Sequence, residues 1–130
     1  MEFKDKNGKI LAMLIDFDSI NEEKYFATDN DNELQIATFN LKKEQEILRH
    51  IHPPQDRKIT TTSEVLIVLE GEIEFTLYDD DLELCHSAVA TKGNLLVLMS
   101  GGHGLKVLQD TKFIEVKQGP YDEKIDKVRF

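Results

Sequence analysis

Residues 65–78 constrain the fold more than any other stretch of this chain. Val65-Leu66-Ile67-Val68-Leu69 is a continuous β-branched and leucine run, the pattern of a strand covered on both faces. After Glu70-Gly71, the apolar residues Ile73, Phe75 and Leu77 alternate with Glu72, Glu74, Thr76 and Tyr78, so one face is dry and the other wet. Gly71 falls at the turn between them, where a positive φ is cheap only for glycine. A hairpin at the centre of an all-β domain follows.

Further short apolar runs recur at near-regular spacing, at 10–17, 34–39, 45–52, 82–89, 95–99, 105–108 and 112–117. That rhythm predicts a sandwich or barrel. Ser19 with Glu22 forms a capping box for a short helical turn through Tyr25, and 122–128 is a second helical candidate. No repeat, low-complexity tract or linker divides the 130 residues, so a single domain is expected, with 1–33 as an N-terminal strand and loop extension, 34–117 as the core and 118–130 as a tail.

Composition excludes several roles. Twenty-five acidic residues against 16 basic give a net charge of −9, which disfavours nonspecific binding to nucleic acid or an anionic membrane. Cys85 is the single cysteine, so no intrachain disulfide forms. The apolar run at 10–15 is too short to span a bilayer, and no signal peptide is evident, so a cytoplasmic protein is expected.

Three of the four histidines stand out by position. His50 and His52 flank Ile51 on an expected strand, where residues i and i+2 share a face. Glu64 opens the central hairpin, and His103 lies in Gly101-Gly102-His103-Gly104. Imidazole nitrogens and a carboxylate oxygen suit a divalent transition metal such as Fe, Ni, Mn, Co or Zn. An isolated His-x-His is more often a solvated pair than a ligand pair; the later Glu64 and His103 shift that balance.

These residues resemble the cupin superfamily. Its first motif runs from His-x-His to a glutamate with a glycine after six intervening residues, as in His50-Ile51-His52, Glu64 and Gly71. Its second runs from a glycine through a proline and glycine to a histidine, as in Gly93, Gly101 and His103. Two departures stand: eleven residues separate His52 from Glu64, a longer stretch than is usual, and Met99 occupies the proline position with His103 one residue early. The words His-Pro-Pro-Gln-Asp-Arg, Ser-Glu-Val-Leu-Ile-Val-Leu-Glu-Gly, Gly-Gly-His-Gly and Glu-Val-Lys-Gln-Gly-Pro-Tyr are similar to small single-domain cupins, some tied to surface-polysaccharide or sugar-nucleotide pathways. The resemblance implies a jelly-roll barrel, and His50, His52, Glu64 and His103 as metal ligands.

Other candidates follow from position. The loop 53–62 would overhang such a metal, so Arg57 and Gln55 are candidates for substrate binding, against a bland reading as solvated charges. Glu115, Lys117 and Tyr121 are candidates for moving protons, with a structural salt bridge between Glu115 and Lys117 as the simpler alternative. Asp79-Asp80-Asp81 lacks the glycine and distal glutamate of an EF-hand loop and is expected to be a solvated turn. The glycines at 101–104 lack the helix and Lys-Ser/Thr of a phosphate loop. His86 is expected at the surface.

The expectation is a metal-dependent enzyme acting on a small polar molecule such as a sugar derivative, isomerase- or epimerase-like or oxygenase-like. The alternative is a noncatalytic binding module for a sugar or small acid. A homodimer is expected through the 10–17 strand and the outer face of Val65, Ile67 and Leu69.

Overall fold

The structure, a computed structural model, describes Met1–Phe130. Ten strands account for the regular structure: β1 (Glu2–Lys4), β2 (Ile10–Asp16), β3 (Lys24–Phe26), β4 (Ala37–Phe39), β5 (Glu64–Glu70), β6 (Glu72–Tyr78), β7 (Leu84–Thr91), β8 (Asn94–Leu98), β9 (Gly102–Val107) and β10 (Lys112–Lys117). All pairings are antiparallel. A five-stranded sheet runs β1-β2-β8-β5-β10, and a three-stranded sheet runs β7-β6-β9; β3 and β4 make a separate hairpin. The protein is thus all-β, with two principal sheets and no closed barrel.

The central hairpin forms as its sequence requires. β5 and β6 meet at Gly71, whose φ is +82°. In β6, Ile73, Phe75 and Leu77 are buried while their alternate neighbours are half-buried. Leu66 and Val68 of β5, Leu96 and Leu98 of β8 and Leu11 of β2 join them in the main core, with Phe3 edge-on to Phe75 at 5.3 Å between ring centroids. Each such side chain contributes about 1.5–3 kcal/mol by leaving water.

The opposite face of β5 is covered as well, as its unbroken apolar run demands. Met13, Val65 and Val97 form a second cluster, packed by Ala27, Leu34 and Ile36 from the segment that includes the β3–β4 hairpin. Val65 is therefore buried and β2 lies inside the sheet, so most of the face expected to meet a second subunit is already covered within the chain. Of its apolar residues, Leu69 and Phe17 remain exposed.

Four expected elements differ. The helical turn at 19–25 is replaced by a short 3-10 turn at Phe17–Ser19, capped by the Asp16 carboxylate, which accepts from the Asp18 amide, and then by β3. The 122–128 segment makes one turn, with the Asp126 amide donating to the Asp122 carbonyl, and no helix. Of 34–39, only Ala37–Phe39 is a strand. No strand forms at 45–52: residues 46–59 make no backbone–backbone hydrogen bond. Local β-propensity there has no partner strand, and a strand without a ladder is not stable.

Candidate functional site: the cavity between β9 and β10

The two sheets leave their β9 and β10 edges unpaired on the same side of the molecule. Between them opens a cavity of about 760 Å³, lined by Glu64 of β5, His103 of β9, Glu115 of β10, Tyr78 at the end of β6, and Asp126 and Phe130 of the tail. Its position follows from register. Lys117 pairs with Glu64 across β10 and β5, and His103 pairs with Leu77 across β9 and β6, so polar side chains from both sheets meet at one end.

Glu64 is buried, and its two oxygens face different partners. Oε2 stands 3.3 Å from His103 Nε2, and Oε1 accepts from Lys117 Nζ at 3.5 Å. Lys117 also lies 3.6 Å from Glu115 and donates to Asp126 at 2.8 Å. Its ammonium stands 5.1 Å from the Tyr121 ring centroid, in cation–π range. The hydrogen bond to Asp126 holds the Lys117 ammonium above its ordinary range; partial burial opposes this, and the charges of Glu64, Asp126 and Glu115 add to it. No buried side-chain polar atom lacks a partner.

Glu64, His103, Glu115, Lys117 and Tyr121 therefore come together, although they span 58 positions of sequence from first to last. His50 and His52 do not join them. Their rings are neighbours, 5.1 Å apart between centroids, but both are exposed, and the His50 Nδ1–H donates to the Leu48 carbonyl at 2.8 Å. Nowhere do three or more His, Cys, Asp or Glu side chains meet in a group that could hold a metal ion. The four expected ligands form two pairs, and the pair in the cavity has a lysine beside it. A fixed ammonium competes with a metal cation for the same carboxylate.

Arg57 and Gln55 lie in the exposed loop and contact each other at 3.4 Å, away from the cavity lining. Two residues were not legible as site members. Asp126 takes the shortest bond from Lys117, and nothing in the charge-balanced sequence around it signals this. Phe130 packs edge-on to Tyr78 at 5.1 Å, which no local pattern announces. His86 is less superficial than expected: its Nε2 donates to the Lys4 carbonyl at 2.7 Å, tying β7 to β1 across the two sheets. Asp79-Asp80-Asp81 is a turn, as expected, but not a wholly solvated one: Asp79 is buried and its carboxylate accepts from the Asp81 and Glu83 amides, while Lys6 and Lys9 pair with the three carboxylates.

Compared with known proteins, the chain matches no family model, no curated protein and no solved structure. No helix is long and apolar enough to cross a membrane.

Proposed function

We propose that this chain binds a small polar molecule in the β9–β10 cavity and transfers a proton on it. The observation that carries this reading is the meeting of Glu64 and His103, from two strands, at the wall of a cavity large enough for a metabolite, with Lys117 beside Glu64. In this reading Glu64 orients the His103 imidazole, and His103 serves as the acid–base group. Lys117 fixes the Glu64 carboxylate, and Glu115, which lines the cavity, relays the second proton.

A second reading, a cupin-type metal-dependent isomerase or oxygenase acting on a sugar derivative, draws on one observation. His50 and His52 present neighbouring rings on a segment with no other engagement, ready to be brought to a further pair of donors.

The test starts from a thermal-shift screen of sugars, nucleotide sugars and small acids. A stabilising compound is then incubated in deuterium oxide with wild type and His103→Gln. Proton transfer requires deuterium uptake by the compound, slowed about 10²–10⁴-fold in the variant. Binding without uptake in either protein identifies a noncatalytic binder instead. Elemental analysis of untagged wild type and His50→Ala decides the metal reading, which fails if both contain equal metal.

A further inference from the structure

The open flank between β9 and β10 exposes apolar side chains on the face that belongs to the interior. Leu105 and Val107 pair with Phe75 and Ile73 of β6, and Phe113 pairs with Val68 of β5. Paired residues on neighbouring strands point to the same side of a sheet, so all three turn inward with their partners. The partners are fully buried. Leu105, Val107 and Phe113 are instead 41%, 56% and 39% exposed, because each sheet ends at their strand. His103 shares the inward side of β9 with Leu105, two residues on.

The charges of the cavity are sorted. Its three carboxylate side chains all have partners: Glu64 faces His103 and Lys117, and Lys117 also faces Glu115 and Asp126. The cations that line the cavity, Lys127 and Arg129, take part in none of these pairs. Arg129 adjoins Phe130, whose ring covers Gly102 at the start of β9. A guanidinium presents a planar fork of donors that fits an oxyanion. Along β9 the order is therefore the cationic tail at Gly102, then His103, then apolar Leu105 with Val107 and Phe113 beyond it. Gly102 to Leu105 is three residues of strand, about 10 Å, a span that a small arylalkanoate covers.

Taking the cavity as the ligand site proposed above, we infer that its ligand is a small amphipathic oxyanion. A carboxylate or phosphate is held by Arg129 and Lys127, an apolar body lies on Leu105, and the atoms between them pass His103. Charge complementarity selects the head group, and the uncovered interior face selects the body.

An NMR titration of the His103 imidazole tests this at fixed pH and ionic strength. The probes are 3-phenylpropanoate, phenyl phosphate, neutral 3-phenylpropanamide, acetate and glucose. At least one aromatic anion is expected to shift the His103 resonances saturably, with the amide and acetate each binding about tenfold more weakly or worse. The double variant Lys127→Gln, Arg129→Gln, on the exposed tail, is expected to weaken that anion about tenfold and leave the amide unchanged. The stronger of the two anions identifies the head group. Equal binding of anion and amide overturns the inference, as does an unaltered anion affinity in the double variant. Equal binding of acetate and 3-phenylpropanoate also overturns it, and means that protein covers Leu105. A shift with glucose and neither aromatic anion keeps the cavity as a ligand site but overturns the class. Silence from all five overturns the inference too, and the deuterium-uptake test then decides the cavity reading separately.

Discussion

Lys117 Nζ lies 2.8 Å from Asp126 Oδ2, with both side chains largely buried, and this bond ties the C-terminal tail across the cavity mouth. Phe130 reinforces it by packing on Tyr78 and filling the space over Gly102, where a Cβ would meet the Phe130 ring. Because the lysine's folded value is raised above 10.5, the stability it contributes is present throughout the range below that and is lost only as pH rises through the higher folded value. The tail therefore stays pinned at neutral pH.

Asp126→Asn removes the charge that holds the tail. Losing a hydrogen bond to a charged group is expected to speed tryptic cleavage after Lys124 and Lys127 by roughly tenfold. Limited proteolysis read by mass spectrometry measures it. Unchanged cleavage would show that Phe130 alone secures the tail.

Glu33 clamps the chain at Thr60 and Thr61, just after the irregular segment 46–59. Hydrogen bonds from the Thr61 and Thr60 hydroxyls, and then from their amides, depress its carboxyl from 4.5 to about 2. A lowered folded value means that the clamp contributes stability above about 4.5, and that this contribution is lost as pH falls toward 2. A carboxyl NMR titration should place the Glu33 midpoint near 2, with Thr60 and Thr61 amide exchange accelerating over the same window. A midpoint near 4.5 would contradict the clamp.

Phe75 is fully buried at the centre of the main core. Phe75→Ala leaves a cavity that the sheets on either side cannot close, and is expected to cost about 3–5 kcal/mol in urea unfolding. A loss below 1 kcal/mol would mean that the sheets collapse onto the space.

Gly101 sets the entry to β9. Its φ is +71°, and a Cβ there would run into the Tyr78 carbonyl and the Leu11 side chain. Gly101→Ala is expected to lose roughly 1–3 kcal/mol through backbone strain. It should also shift the His103 imidazole resonances in NMR spectra, since β9 cannot then start where it does. Unmoved His103 signals would separate the turn from the site.

Much of the fold was written in local pattern. Alternation in β6, the two-sided run of β5 and the glycine between them settled the central hairpin, because side chains on a strand must answer to both of its faces. Lys112–Lys117 matched its strand residue for residue, and Lys117 stands beside both Glu115 and Tyr121, although of the three only Glu115 lines the cavity. The segments that misled were those whose state depends on a remote partner. β3 exists because β4 lies beside it, where the capping pattern of Ser19 and Glu22 alone suggested a helical turn. The segment 45–52 has strand composition and no neighbour, so it stays irregular.

By itself, then, the sequence determined that this protein is built of strands, where its central hairpin turns, and which side chains seek the interior. Tertiary structure alone decided that Glu64 and His103 become neighbours, that Asp126 claims Lys117, and that His50 and His52 stand apart from them. The reason is range. Periodicity and turn chemistry act over a few residues, whereas a site is fixed by which edges pair, and pairing is a competition among all the strands at once.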